Sequence, residues 1–140
     1  MAFKVFFDIN ILIDLLDKNR LNHQDAITIV RDAEEGNING FVSESVLNTT
    51  AYLIRKDFST KQIIQLVNHL LSFVQVIPIN TISYLSGLQR TINDIEDSIL
   101  YSAALHEGLD FFITNDIKDF KKIEIAALPV IQARELHKHL

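Results

Sequence analysis

Five short runs rich in Phe, Val and Ile recur along the chain, most of them separated by longer stretches with helical spacing, and this alternation constrains the fold more than any other feature. Phe3–Phe7, Gly40–Ser43, Val74–Pro78, Asp110–Thr114 and Pro129–Ile131 have the length and the β-branched and aromatic content of buried strands. Between them, Ile11–Leu16, His23–Glu35, Glu44–Lys56, Thr60–Phe73, Thr81–Thr91 and the stretch from Asn93 to Gly108 carry the apolar positions and end signals of helices, and Gln132–His139 reads as a last one. Local signals mark the ends: Gly36 stands where a left-handed residue closes a helix, and Ser59 is a natural N-cap. Strands joined through helical crossovers pair in parallel, with helices on both faces. The expected fold is therefore α/β, a three-layer α/β/α arrangement around a central parallel sheet of four to five strands. With no linker, repeat or low-complexity tract, residues 1–140 read as a single domain.

Composition narrows the chemistry. The absence of Cys excludes disulfides, cysteine zinc sites and thiol catalysis. No apolar run has the length of a membrane span, and Asp8 and Asp14 interrupt the first apolar segment, so a cytoplasmic protein with no membrane partner is expected. A formal net charge of −5 argues against gripping nucleic acid through a broad basic face. Any chemistry on a nucleic acid must then act locally, through a bound cation.

In an open parallel sheet, ligands bind outside the carboxyl ends of the strands, where the strand order reverses. The first strand ends in Asp8, the second in Ser43-Glu44 and the fourth in Thr114-Asn115-Asp116, and the preceding helix opens with Asp94-Ile95-Glu96-Asp97. Carboxylates crowded on one rim repel, and a cluster that stays ionised at neutral pH normally holds a cation. Oxygen donors alone select a hard ion, Mg²⁺ or Mn²⁺, whose usual work is to activate water against a phosphoryl group. The competing reading is structural: Asp94, Glu96 and Asp97 as charges at a helix N-terminus, Asp116 as a turn residue, Asp8 or Asn10 as a cap.

Phe7-Asp8-Ile9-Asn10-Ile11-Leu12-Ile13-Asp14, Val42-Ser43, the run Glu96–Ala104 and Ile113-Thr114-Asn115-Asp116-Ile117-Lys118-Asp119-Phe120 together resemble, in order and spacing, the successive motifs of the PIN domain, the nuclease fold of VapC-type toxins. The resemblance runs over essentially the whole chain. It implies a Mg²⁺- or Mn²⁺-dependent endoribonuclease in which Asp8, Asp97 and Asp116 hold the metal and carry catalysis, Asp94 and Glu96 add acid beside them, and Asn10 and Thr114, with Ser43, Glu44 and Asn115 nearby, support the site. It also implies products with a 5′-phosphate and a 3′-hydroxyl, a small antitoxin covering the rim, and a homodimer through helices such as Thr60–Phe73.

One position departs from the pattern. Many members of that family carry Glu six residues after the serine that ends the second strand, where this chain has Thr49. Glu44 lies five positions from Thr49 and so on another helix face, although it can reach the rim from the helix start; Asp94 or Glu96 are the other candidates to complete the set. Lys118, Lys121 and Lys122, and likewise Arg55, Lys56 and Lys61, read either as holders of an RNA backbone or as solvated charge. The histidines at 23, 69, 106, 137 and 139 are expected at the surface rather than as ligands. Two other functions compete: a PIN-like binding module that has lost activity, motivated by Thr49, and a phosphoryl-transfer domain with Asp8 as nucleophile, for which the accompanying acid and lysine are missing.

Overall fold

The structure, a computed structural model, describes residues 2–140. Its centre is a five-stranded sheet formed by β1 (Lys4–Phe7), β2 (Asn39–Ser43), β3 (Val74–Ile77), β4 (Phe111–Ile113) and β5 (Val130–Ile131) in the spatial order β3-β2-β1-β4-β5. Every pairing is parallel. The chain steps outward from β1 through β2 to β3, then returns to the other side of β1 for β4 and β5. The order therefore reverses between β1 and β4.

Among the described residues seven helices connect the strands: α1 (Ile9–Leu16), α2 (His23–Glu34), α3 (Glu44–Ile54), α4 (Thr60–Leu71), α5 (Thr81–Arg90), α6 (Ile95–His106) and α7 (Ile117–Lys121). α1 packs against α2 and α3, and α5 against α6. Right-handed crossovers place connections that travel in opposite directions along a sheet on opposite faces, which gives the three layers.

The central strands β1 and β4 bury both faces, so their side chains beyond Lys4 are apolar without alternation, whereas the middle of the edge strand β3 is exposed. Val5, Phe6, Phe7, Phe112 and Ile113 are fully buried. Phe6 stacks on Phe112 with ring centroids 4.9 Å apart, and Phe120 of α7 lies 4.5 Å from Phe112 on the same cluster. Tyr101 of α6 is buried among them, its hydroxyl donating to the Leu128 carbonyl at 2.6 Å and accepting from Ile125 N–H at 2.9 Å.

The expected end signals are in place. Gly36 has φ +81° and closes α2, and Ser59 with Gln62 forms a reciprocal capping box on α4. α4 buries none of its residues fully and roofs a cavity of about 240 Å³ between it and α1, α2 and α3. The expected last helix is a 3₁₀ helix, Ala133–His139; its buried residues, Ala133 and Leu136, are three apart, the spacing that eclipses side chains in that tighter helix. The residues after Asp116 form α7, whose Phe120 packs into the aromatic cluster.

Candidate functional site

Asp8 and Thr114 are the first residues beyond β1 and β4, still on the sheet ladder: Asp8 N–H donates to the Ile113 carbonyl at 3.0 Å and Thr114 N–H to that of Ile131 at 3.1 Å. The sheet thus delivers both side chains to the reversal point at its carboxyl edge. Asp8 also stands at the N-cap of α1, yet its side chain makes no capping bond there. It is instead 3% exposed and its Oδ2 accepts from Thr114 Oγ1 at 2.8 Å and from Asn10 Nδ2 at 3.0 Å. Thr114 Oγ1 in turn accepts from the backbone N–H of Asp116 at 2.9 Å, tying the turn after β4 to the same carboxylate.

Burial pushes the Asp8 carboxyl up to about 6, against the opposing bonds from Thr114 and Ile9 and with further upward push from the charges of Asp116 and Glu96. Ionising it at neutral pH therefore costs on the order of 3 kcal/mol relative to a solvated carboxyl. Asp97, in the first turn of α6, is pushed up to about 7, first by burial and then by Asp94, Asp8, Asp116 and Asp119. Asp116 is raised by burial and by Asp119. The charges of Asp8 and Asp116 thus both act on Asp97, and that of Asp116 on Asp8, although the three follow β1, open α6 and lie in the turn after β4.

Asp119 joins them. One carboxylate oxygen from each of Asp97, Asp116 and Asp119 lies within 4.8 Å of the others. Asp119 lies within the motif Ile113–Phe120 but is not among the acids expected from the sequence; the signal for it is its position three residues after Asp116, which a short helix turns onto the same face. The donor set is carboxylate oxygen only, strained by its own charge, and suits a hard divalent cation of the Mg²⁺ type.

The remaining nominated residues divide. Asn10 and Thr114 belong to the Asp8 network, and Asn115 N–H donates to Asn10 Oδ1 at 3.1 Å. Glu96 is close enough for its charge to raise Asp8. Asp94 is the N-cap of α6, its Oδ1 accepting from Asp97 N–H at 3.0 Å, so it orients Asp97 while adding charge beside it. Ser43 is buried and caps α3 by accepting from Val46 N–H at 3.2 Å. Glu44 is not brought to the cluster: it is exposed, lining a shallow hollow with Asn48 of α3 and Val76, Ile77 and Pro78 of the β3 end. The chain that carries it leaves the sheet one strand beyond β1, on the side away from β4.

Of the basic residues, Lys121 pairs with Glu124 at 2.9 Å, Lys122 with Asp119 at 3.7 Å, and Arg55 folds over the Tyr52 ring. Lys118 makes no ion pair among the described residues. His23 departs from its expected surface position: half-buried, its Nδ1 donates to the Asp14 carbonyl at 2.8 Å. Asp14 itself, 2% exposed on α1, accepts from Arg20 Nε at 2.5 Å and Asn115 Nδ2 at 2.8 Å. Sequence reading left Asp14 and Arg20 without a role, since neither ends a strand.

Comparison with known proteins agrees with this architecture. The PIN domain family model matches residues 4–118. Ribonuclease VapC1 of Aquifex aeolicus (strain VF5) is 24% identical over 130 residues, covering 89% of each chain. VapBC2 from Rickettsia felis, solved with a DNA fragment of its promoter, shares the fold at a TM-score of 0.67 and 19% identity over 93% of this chain and 98% of that one. A toxin–antitoxin complex from Klebsiella pneumoniae does so at 0.65 and 23% identity, over 89% and 94%.

Proposed function

Because the chain belongs to the PIN domain family, we propose that it is a divalent-metal-dependent endoribonuclease, the toxin half of a toxin–antitoxin pair. The observation that carries the reading is the cluster of Asp97, Asp116 and Asp119 carboxylates, with Asp8, at the reversal point between β1 and β4, acting on Asp97 through its charge. Ribonuclease VapC1 and the toxin–antitoxin complexes named above are relatives of matching activity and assembly.

Asp8, Asp97, Asp116 and Asp119 would hold Mg²⁺ or Mn²⁺, and a bound ion of this kind lowers the pKa of water and neutralises charge developing on a phosphodiester. Thr114 and Asn10 hold the Asp8 carboxylate by its Oδ2 and stabilise its ionised form. Asp94, by capping α6, fixes Asp97 at the first turn of that helix. In this reading Asp119 supplies the acid that Thr49 does not, which favours an active enzyme over an inactive module. Lys118, two residues after Asp116 and free of ion pairs among the described residues, is the lysine this reading assigns to an RNA backbone. The acid-rich rim attracts little RNA by itself, and it suits a small partner that brings a cation to it.

The proposal includes a homodimer and a cytoplasmic setting; no helix among the described residues is long and apolar enough to cross a membrane. α5 offers more exposed apolar surface for self-association than α4, with Ile82, Leu85 and Leu88 at 64%, 55% and 45% exposure.

The test is cleavage of a structured RNA by the purified protein in Mn²⁺. Asp8→Asn and Asp97→Asn are each expected to reduce cleavage by about 10²-fold or more, the scale seen when a group that stabilises transition-state charge is lost. Cleavage that survives both substitutions, or an excess of chelator, would overturn the reading.

A further inference from the structure

Asn10 and Asp14 are four residues apart on α1 and so share one helix face. Both reach the same residue, Asn115, which links Thr114 to Asp116. Asn10 Oδ1 takes its backbone N–H at 3.1 Å, and Asp14 Oδ2 takes its side-chain amide at 2.8 Å. Asn115 is thus gripped at two points by the helix that follows Asp8. The other oxygen of Asp14 is held by Arg20 Nε at 2.5 Å, reaching in from the connection between α1 and α2.

We infer that Asp14 is a positioning residue for the acidic site: through Asn115 it sets the distance between the end of β1, which carries Asp8, and the turn after β4, which carries Asp116. The inference rests on reading that rim as a divalent-metal site. A buried carboxylate with two donors on separate elements is a costly way to stabilise a fold, since apolar packing serves as well. Here the second donor belongs to the residue between Thr114 and Asp116, both of which the site uses. Arg20 holds one oxygen of Asp14 while Asn115 takes the other, so that both carboxylate oxygens serve as acceptors. An amide at position 14 has only one acceptor oxygen for two donors, and one of the two links must break.

The experiment compares wild type with Asp14→Asn, Asn115→Ala, the double variant, Arg20→Ala and Arg20→Lys. Mn²⁺ affinity is measured without RNA, by electron paramagnetic resonance of the free ion, beside kcat, KM and the melting temperature. Asp14→Asn and Asn115→Ala are each expected to weaken Mn²⁺ binding by roughly 10–100-fold, the range for groups that orient metal ligands. kcat should fall while KM for RNA holds. The double variant should be no weaker than the worse single one, and Arg20→Lys should recover part of what Arg20→Ala loses. A lower melting temperature with unchanged Mn²⁺ affinity, or additive losses in the double variant, would overturn the inference. Should Asp14→Asn fail to fold, Asn115→Ala, at a partly exposed position, decides it. If the wild-type protein itself binds no Mn²⁺, the metal-site reading falls, and this one with it; tight wild-type binding with equally tight variants removes only this one.

Discussion

The carboxyl edge of the sheet carries two groups of polar residues of the same types, used in opposite ways. Where β1 and β4 end, Asp8 and Thr114 are buried and bonded to each other, and Asp8 feels the charge of Asp116, which clusters with Asp97 and Asp119. Where β2 and β3 end, Ser43 is a helix cap and Glu44 an exposed charge. A strand-ending acid becomes part of a site only where a second strand arrives beside it from the opposite direction along the chain. The β1–β4 edge has that arrangement. At the β2–β3 edge the chain continues in the direction it was already taking, α3 covers the end, and nothing returns to meet it.

Burial of carboxylates, with charge repulsion added to it, should separate the two edges most strongly. The carboxyls of Asp8 and Asp97 ionise near 6 and 7 in the folded protein against 3.8 for the ordinary group. Between those values the folded state retains protons that the unfolded chain has released, so stability of the metal-free protein falls as pH rises from about 4 to about 7. Asp8→Asn and Asp97→Asn are expected to flatten that decline in metal-free thermal melts, and to abolish the gain in melting temperature on adding Mn²⁺ at pH 8. At a concentration one hundred times the Kd, that gain corresponds to about 2.7 kcal/mol in the wild type. A decline that is equally steep in both variants would mean that the two edges do not differ in strain.

Smaller effects belong to the other edge. Ser43→Ala should cost about 1 kcal/mol in chemical denaturation through loss of the α3 cap, with RNA cleavage by the folded fraction unchanged. Glu44→Gln should shift stability by less than about 0.5 kcal/mol and leave Mn²⁺ affinity within twofold. A Glu44 effect on metal binding as large as that of Asp116→Asn would show that the edges act together.

Much of this was legible in the residues themselves. The period of the apolar runs carried the layers and the parallel sheet, and strand-ending positions singled out Asp8 and Asp116. Asp97 was legible through the family motif. What escaped depended on geometry that periodicity does not encode. Asp119 reaches the cluster because Phe120 closes α7 onto the aromatic core, a tertiary contact. Asp14 and Arg20 lie in a helix and in a connection whose bonding partners are a hundred residues away or outside any regular element. Glu44 was nominated on its place after a strand, and only the strand order shows that this strand is on the far side of β1. The final segment reads as a helix, and only its tighter 3₁₀ winding needed the structure.

A crystal soaked in Mn²⁺ and recorded at a wavelength that reveals the ion's anomalous scattering tests the central claim most directly. One or more peaks within coordination distance of Asp8, Asp97 and Asp116, and none beside Glu44, are the expected result. A protein that admits the ion elsewhere, or leaves those three carboxylates without it at saturating concentration, would contradict the account.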